Sequence, residues 1–394
     1  MRVAIIHHIK NQMLFITNNP KTKTILTAGF LLLYLTGCQI TQQIPGDIMS
    51  ESGGFVQKPA LSLDTPTVQA AYDMIAPTQP PTTPTSPRES AESTEVKPTN
   101  SMTLPTLTTL PGSVFDGQAA LEDVSYQVNL GPRTIGSPAH RQTGDWIAAE
   151  LSKAGWEASI QELNYQGKPI RNIIGKWGQG EPWIILGAHY DTRFIADRDA
   201  EVTRQSEPVP GANDGASGVA VLLELARKLP GIKATNPAPG GEKQRAQQIW
   251  LVFFDAEDNG NIPGWDWAMG SQAFVANLTE KPAAAIIVDM VGDRDLTLFF
   301  ENSSDQALNQ EIWESAAKTG YDNIFIPEPK RTIIDDHQSF LAAGIPAIDI
   351  IDLDYPYWHT SGDTIDKVSA ESLQAVGDTL MHWLSNGSSL LTRP

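Results

Sequence analysis

Residues 184–192 read IILGAHYDT, and residues 209–218 read VPGANDGASG. The first stretch is a short apolar run that ends in a histidine and an aspartate, as a buried strand does where its loop begins. After the second stretch apolar residues recur with helical spacing, which predicts a helix just after Asp214. These residues are Val219, Leu222, Leu223, Ala226 and Leu229. A strand, a loop of small residues and a helix in succession are typical of α/β proteins.

Three further apolar runs lie at residues 249–254, 284–288 and 347–351. Such runs are typical of strands that are buried on both faces, and residues 138–154 are predicted to form a helix. The alternation predicts an α/β fold, a single three-layer domain with a mostly parallel or mixed central sheet flanked by helices. We assign this domain to residues 113–394, about 280 residues, which is enough to bury a large core without disulfides.

Acids and histidines follow the strand-like runs. His189 ends the first run, Asp258 follows the second, Asp289 ends the third and His359 follows the fourth, while Asp214 precedes the predicted helix. The carboxyl ends of strands form the binding edge of open α/β sheets, and zinc binds imidazole and carboxylate ligands. Each motif alone is equally typical of a surface loop or a helix cap. Their recurrence predicts a zinc site at this edge of the sheet, with ligands drawn from these acids and histidines.

Neighbouring residues suggest further roles. Glu257 precedes Asp258 and is predicted to be the general base and acid, because a desolvated carboxylate near a metal can be tuned toward neutral pH. Asp191 is predicted to orient the imidazole of His189. Three tryptophans, Trp265, Trp267 and Trp358, are predicted to line an apolar substrate pocket. For Trp265 and Trp267, packing in the core remains an equal alternative.

The formal net charge of −18 and the pI of about 4.7 argue against nucleic acid as a partner. Phosphate recognition requires a concentrated positive surface, and no long basic stretch is present in the sequence. The acidic balance is instead consistent with solubility outside the cell.

The only cysteine, Cys38, ends the tetrapeptide LTGC. Lys21 and Lys23 precede an apolar run at residues 25–35, which is too short to span a bilayer comfortably. Residues 1–38 are therefore predicted to be a bacterial lipoprotein signal peptide with its lipobox, lipidated at Cys38. A transmembrane anchor or a cleaved soluble signal remains the alternative, and Met1 and Met13 are both candidate starts.

Residues 39–112 are predicted to be a disordered Thr/Pro/Ser-rich tether. Residues 77–112 contain 8 Pro, 10 Thr and 4 Ser, a composition that buries too little apolar surface to offset the entropy of ordering. The expected protein is an exported lipoprotein, anchored to the lipid membrane, with its catalytic domain outside the cytoplasm.

The motifs GAHYDT, PGANDGASG, FFDAED, VDMVG, DDHQSF and YWHTSGDT occur in this order along the chain. On these motifs residues 117–385 resemble metallopeptidase family 28, which includes zinc aminopeptidases and animal-type glutaminyl cyclases. The resemblance implies a zinc exopeptidase-like fold and peptide or protein N-termini as substrates.

In the two-zinc aminopeptidases of this family, both metals are bound by five positions, with Asp214 at the bridging position. The resemblance places these at His189, Asp214, Asp258, Asp289 and His359. Glu257 matches the general base of the family. If the chain is similar to these aminopeptidases, the resemblance implies two zinc ions at this centre.

In the cyclases a single zinc is held by the positions that match Asp214, Asp258 and His359. The positions that match Asp289 and Asp336 join a hydrogen-bond network around the reacting groups, which makes both residues candidate catalytic groups.

The segments FFD and VPGA, and Trp358 before His359, favour the cyclase branch. The chain departs from the family pattern at two positions: Asp258 stands where many relatives have glutamate, and Asp349 stands where animal cyclases tend to have histidine. The predicted function is a glutaminyl-peptide cyclotransferase. The first alternative is a two-zinc aminopeptidase, and the second is a catalytically silent peptide-binding lipoprotein.

Overall fold

The computed structural model describes residues 114–180, 183–235 and 248–386. The predicted signal peptide, the lipidated Cys38 and the tether lie outside these residues, so they stay predictions. Among the described residues, no helix combines the length and the apolar character that crossing a bilayer requires.

Eight strands occur in the described part of the chain. They are β1 (Glu157–Tyr165), β2 (Lys168–Trp177), β3 (Trp183–His189), β4 (Gln248–Phe254), β5 (Ala284–Asp289), β6 (Leu298–Glu301), β7 (Phe325–Arg331) and β8 (Ala347–Ile351). Six of them form the central sheet in the order β1-β2-β4-β3-β5-β8. Strands β4, β3, β5 and β8 run parallel, whereas β1 and β2 are antiparallel to their neighbours. Strands β6 and β7 form a separate parallel pair.

Seven α-helices occur in the same residues. They are α1 (Gly117–Asn129), α2 (Pro138–Lys153), α3 (Ala216–Thr235), α4 (Met269–Ala276), α5 (Gln306–Lys318), α6 (Asp336–Ala342) and α7 (Ala370–Asn386). Side chains cap several helix starts, as Ser137 does by accepting a hydrogen bond from the backbone of His140 in α2.

The alternation of side chains along the strands divides the core between the two faces of the sheet. Ile184 and Leu186 of β3 pack on one face with apolar residues of α1, α2, α3, α5 and α7. Ile185 lies on the opposite face with Phe274 of α4 and Phe340 of α6. This three-layer arrangement confirms the predicted α/β fold and its mostly parallel, mixed sheet.

The antiparallel edge is a hairpin that the apolar runs did not predict. The chain reverses at Gln166 and Gly167, which have φ angles of 49° and 80°. Left-handed conformations at both central residues characterise the tight turns of two-residue hairpins. Strand β1 is largely exposed, which explains why it lacks a continuous apolar run.

Candidate metal centre

The carboxyl ends of three adjacent parallel strands form the candidate site. His189 is the last residue of β3, and Asp289 is the last residue of β5. Glu257 and Asp258 lie just after the end of β4. Because β4, β3 and β5 are parallel neighbours, their carboxyl ends lie at one edge of the sheet. Asp214 reaches this edge from the turn before α3.

The five predicted ligands lie together as two groups of three that share Asp214. In the His189 half-site, Nε2 of His189 lies 3.1 Å from Oδ1 of Asp214 and 3.2 Å from Oδ1 of Asp289. In the His359 half-site, Nε2 of His359 lies 2.8 Å from Oδ1 of Asp258 and 3.9 Å from Oδ2 of Asp214. Each carboxylate oxygen of Asp214 thus faces a different histidine, and all five side chains are buried.

The His359 half-site contains buried atoms that no hydrogen bond satisfies. They are Nε2 of His359, Oδ2 of Asp258 and Oδ2 of Asp214. Nε2 of His359 is close to Oδ1 of Asp258 but not aligned for a hydrogen bond. Buried polar atoms are normally paired, and one imidazole nitrogen with two carboxylates is a donor set that zinc accepts. These residues therefore fit a zinc ion.

The His189 half-site also has a buried atom without a hydrogen-bond partner among the described residues, Nδ1 of His189, but it differs at the nitrogen that faces the acids. Its Nε2 atom shares a hydrogen bond with Oδ1 of Asp289. The neighbours of Asp214 also lower its pKa. Burial would raise the pKa of this carboxyl, but contact with His189 and the charges of His189 and His359 hold it below its usual value.

Glu257 has the electrostatic surroundings of a proton-transfer group. Its side chain is buried next to both half-sites. Burial raises the pKa of Glu257 well above its usual value, His189 opposes that rise, and Asp258, Asp336 and Asp289 add to it. A carboxyl with a raised pKa is able to accept and return a proton near neutral pH.

Asp336 and its neighbour Asp335 both lie near Glu257. Burial raises the pKa of Asp336 to about 7, against the opposing influence of the Ser271 hydroxyl and His189. Burial also raises the pKa of Asp335 well above its usual value, and Asp349, Glu257 and Asp289 add to this rise.

Only Asp336 was singled out from the sequence. The side chain of Asp335 accepts a hydrogen bond from the backbone of Asp336 and so caps α6. The doubled acid in the DDHQSF motif is the signal that could have identified Asp335.

Asp191, two residues after His189, contacts the segments that follow β3 and β4. Its Oδ1 atom lies 3.5 Å from Nδ1 of His189 and accepts a hydrogen bond of 3.0 Å from the backbone of Glu257. Its Oδ2 atom accepts from the backbone of Asp258 at 3.4 Å. One carboxylate therefore holds the backbone of Glu257 and Asp258 and lies beside the imidazole of His189; that it orients this imidazole stays a prediction.

Asp214 is held by a second group of buried residues, none of which was predicted from the sequence. Asp363 accepts hydrogen bonds from the backbones of Asn213 and Asp214, at 2.8 and 3.1 Å. The buried guanidinium of Arg133 donates to the carbonyls of Tyr190, Pro210 and Gly211. These contacts fix the loop that delivers the shared carboxylate.

Gly215 allows the close approach of this loop to β3. Its φ angle is 91°, and a Cβ atom there would lie 2.8 Å from the carbonyl oxygen of Asp191 and 3.1 Å from Cε1 of His189. Glycine is the residue that tolerates both conditions.

Two tryptophan rings lie near His359. The ring of Trp267 stacks on it with a centroid distance of 5.9 Å and an interplanar angle of 14°, and the ring of Trp358 lies 4.0 Å away. Trp265 instead packs against Phe194, with Lys168 over its ring. The structure thus places Trp358 and Trp267 against the candidate ligand, and Trp265 farther out.

His359 has a strained backbone, with a φ angle of 57°. Ala256 and Met290, which adjoin the acids after β4 and β5, also have positive φ angles of 54° and 45°. Such conformations cost roughly 1–3 kcal/mol each and cluster at functional sites. The residues with positive φ angles therefore lie at the same edge of the sheet as the buried acids and histidines.

Known proteins resemble this chain in sequence. A family model described as "Peptidase family M28" matches residues 172–384. Aminopeptidase YwaD of Bacillus subtilis is 31% identical over 273 residues, which are 64% of this chain and 51% of that protein. This chain therefore spans about half the length of that relative.

Among solved structures, glutaminyl cyclase of Bacteroides thetaiotaomicron bound to N-acetylhistamine has a TM-score of 0.62 and 34% identity, over 70% of this chain and 99% of that chain. A leucine aminopeptidase precursor from Bacteroides thetaiotaomicron VPI-5482 has a TM-score of 0.63 and 34% identity, over 70% and 98% of the two chains. The chain is thus similar both to proteins named as peptidases and to proteins named as cyclases.

Proposed function

This chain belongs to peptidase family M28, and we propose that it is a zinc enzyme that acts on peptide N-termini as a glutaminyl-peptide cyclotransferase. The reaction converts an N-terminal glutamine into pyroglutamate and releases ammonia. The bound metal belongs, in this proposal, to the His359 half-site.

The observation that carries the proposal is the difference between the two half-sites. His359, Asp258 and Asp214 present buried atoms without hydrogen-bond partners, whereas Nε2 of His189 already has a hydrogen bond to Asp289. One half-site needs a cation to satisfy its polar atoms, and the other is partly satisfied by its own side chains. This asymmetry favours one zinc ion, as the cyclase reaction requires.

Zinc bound at His359, Asp258 and Asp214 would act as a Lewis acid toward the side-chain amide oxygen of the substrate glutamine. Glu257 takes a proton from the α-amine as its nitrogen forms a bond to the amide carbon. Glu257 then returns that proton to the amide nitrogen as the carbon–nitrogen bond breaks and ammonia leaves. The raised pKa of Glu257 suits both transfers.

The aromatic surroundings of His359 support cyclisation over hydrolysis. Trp267 and Trp358 both contact His359, so the substrate would meet apolar ring surface next to the ligand. Exclusion of water from the reacting carbonyl suppresses hydrolysis of the amide. The α-amine of the substrate is then the favoured nucleophile.

A second candidate is a two-zinc aminopeptidase, favoured by the shared carboxylate of Asp214. Its two oxygens face His189 and His359, which is the arrangement that a bridging ligand between two metals requires. In this case Glu257 takes a proton from a water molecule that attacks the first peptide carbonyl. The His189 half-site would then exchange its internal hydrogen bond for a second metal.

Mass spectrometry of the products separates the candidates. The purified full chain is incubated with a glutaminyl peptide, the same peptide acetylated at its α-amine, and a leucyl peptide. The cyclase proposal expects the first peptide to lose ammonia, with no change in the other two. Release of free leucine would instead support the aminopeptidase.

The metal content provides an independent measurement. One tightly bound zinc per chain is expected for the cyclase, and two, with activity following the second, for the aminopeptidase. A chain that binds zinc yet changes none of the three peptides would contradict both reactions and favour the catalytically silent peptide-binding protein.

A further inference from the structure

The strained backbone of His359 is held by the loop that follows β3. The backbone N–H of Arg198 donates to the carbonyl oxygen of His359 at 3.2 Å. Two residues beyond His359, the backbone and the hydroxyl of Ser361 both donate to Oδ2 of Asp199, the backbone at 3.1 Å. A left-handed non-glycine residue persists only where the surrounding structure determines its conformation, and these contacts do so.

Asp199 is itself firmly placed. Its Oδ1 atom accepts a hydrogen bond of 2.9 Å from the backbone of Glu201, and its carbonyl accepts one of 2.9 Å from the side chain of Gln205. The carboxylate therefore joins a local turn of its own loop to the segment that carries His359.

Asp197 approaches the imidazole of His359 from the side opposite the half-site. Its Oδ1 atom lies 3.6 Å from Nδ1 of His359, while Nε2 faces Asp258 and Asp214. Arg193 fixes this carboxylate with two hydrogen bonds of 2.8 Å, and its guanidinium also donates to the carbonyl of Asp258 at 3.0 Å. A carboxylate at the far nitrogen of a histidine is the usual partner that orients a metal-binding imidazole.

We propose that Asp197 and Asp199 are positioning residues that hold His359 in the geometry required for zinc, and that they set the zinc affinity of the His359 half-site. Asp199 holds the backbone that follows His359, and Asp197 places a carboxylate beside Nδ1 of its ring. The inference rests on the proposed zinc centre and adds residues that do not touch the metal. The contacts of Asp197 and Asp199 lie on the His359 side, whereas Asp191 contacts His189.

The test is a measurement of zinc affinity, by competition with a chelator, for the full chain and for Asp197→Ala and Asp199→Ala. Loss of such a supporting carboxylate is expected to weaken zinc binding by about 10–100-fold. Glu207→Ala is the matched control, because Glu207 lies on the same loop and pairs with Arg204 at 3.4 Å. Its zinc affinity should equal that of the unmodified chain.

Two further readouts separate positioning from a general loss of structure. The melting temperature of the zinc-free chain shows whether each variant is folded at the temperature of the affinity measurement; Asp197→Ala should lower it, because the buried guanidinium of Arg193 loses two hydrogen bonds. Excess zinc should restore the turnover of both aspartate variants. Asp199→Asn keeps an acceptor for Ser361 and should recover most of the affinity that Asp199→Ala loses.

The outcomes also separate this inference from the proposed function. If the unmodified chain binds zinc and both aspartate variants bind it equally tightly, the inference is wrong and the proposed function stands. If the unmodified chain binds no zinc, both are wrong. If Asp199→Ala fails to fold, Asp197→Ala and Asp199→Asn decide the result.

Discussion

At the scale of single residues, Glu257 is distinguished by a buried carboxylate that belongs to neither half-site. We expect Glu257→Gln to lower turnover by about 10²–10⁴-fold, because the amide cannot carry the proton. Zinc content should be unchanged, since the metal donors remain. The measurement pairs product analysis with elemental analysis, and Glu328→Gln, an exposed site, is the control. Turnover near that of the control would exclude the proton-transfer role.

Sequence patterns predicted the residues at strand ends and the nearby Asp191, but not the supporting residues that come from distant parts of the chain. His189 and Asp289 follow apolar runs, so their place in the site could be read from local sequence. Arg133 and Asp363 act on the loop before Asp214 from distant parts of the chain. Nothing near them in sequence indicates this partnership, because it arises only when the chain folds.

Asp335 illustrates a second limit. It adjoins Asp336, which was predicted, and burial raises the pKa of both carboxyls. Which of two adjacent acids faces the site depends on where α6 begins. Helix boundaries inferred from sequence are uncertain by about 2–4 residues, and that uncertainty is enough to leave one member of the pair out.

At the scale of elements, helix α3 packs unusually close to the sheet at Gly218. A Cβ atom there would lie 2.1 Å from the carbonyl oxygen of Val288 in β5 and 3.0 Å from Cβ of Ala188 in β3. Gly218→Ala should therefore lower the free energy of unfolding by about 1–3 kcal/mol or more, through overpacking. Urea unfolding measures this change.

Gly231 provides the control on the same helix, because a Cβ atom there would meet no atom of the described residues within 4 Å. Gly231→Ala should leave stability unchanged or raise it by about 0.5–1 kcal/mol, since alanine favours the helix. Equal effects of the two substitutions would show that the close approach at Gly218 does not affect the free energy of unfolding.

The buried strands of the sheet were the elements best predicted from sequence. The runs at residues 249–254, 284–288 and 347–351 correspond to β4, β5 and β8 within one residue at each end. Strands buried on both faces must be apolar throughout, so they are visible locally. Strand β7 is mostly exposed, as β1 is, and polar strands of this kind have no such pattern.

The histidine of the DDHQSF motif links α6 to β6. Nδ1 of His337 lies 3.2 Å from Oδ2 of Asp349, and Nε2 lies 3.1 Å from Oε2 of Glu301. Burial opposes the charge, but these carboxylates raise the pKa of His337 to about 9. For Glu301, burial is outweighed by contact with His337 and Ser303, which lowers its pKa to about 2.

We expect His337→Gln to lower the free energy of unfolding by roughly 3 kcal/mol, because it leaves buried carboxylates without their cation. A raised histidine pKa stabilises the fold fully below the unfolded value of 6.5, and this contribution is lost as the pH rises through about 9. For Glu301 the contribution is present above 4.5 and is lost as the pH falls through about 2. The cost of the substitution should thus be larger near pH 6 than near pH 10.

Urea unfolding of the zinc-free chain at the two pH values measures this difference. His382→Gln is the control, because burial and the charge of Lys318 lower the pKa of His382 and its contribution has the opposite sign. A cost for His337→Gln that is independent of pH would contradict the charged state assigned to this histidine.

At the scale of the whole molecule, the chain has a formal charge of −18, and the candidate metal centre brings several of its acids together in a buried place. Carboxylates dominate the centre; burial raises the pKa values of Glu257 and Asp258, the latter to about 6, and repulsion from neighbouring carboxylates adds to the rise. A bound divalent cation would relieve this repulsion, so zinc should stabilise the chain as well as its reaction. The supporting contacts of Asp191, Asp363 and Arg133 hold the acids together before the metal binds.

The location of this centre in the cell depends on a part of the sequence far from it. We propose that Cys38 is lipidated and that residues 39–112 tether the enzyme to a membrane surface, because the only cysteine of the chain ends an LTGC motif after an apolar run. Two or more acyl chains on one residue anchor a protein stably, whereas a single chain binds only weakly.

Cys38→Ser should therefore move the full chain from the membrane fraction to the soluble fraction of expressing bacteria, without changing turnover of the glutaminyl peptide. Fractionation followed by immunoblotting measures the first effect, and product analysis the second. Ser101→Ala, a substitution in the same predicted tether, is the control and should stay with membranes. Persistent membrane association of Cys38→Ser would favour a transmembrane anchor at residues 25–35, and secretion of both variants would favour a cleaved soluble signal.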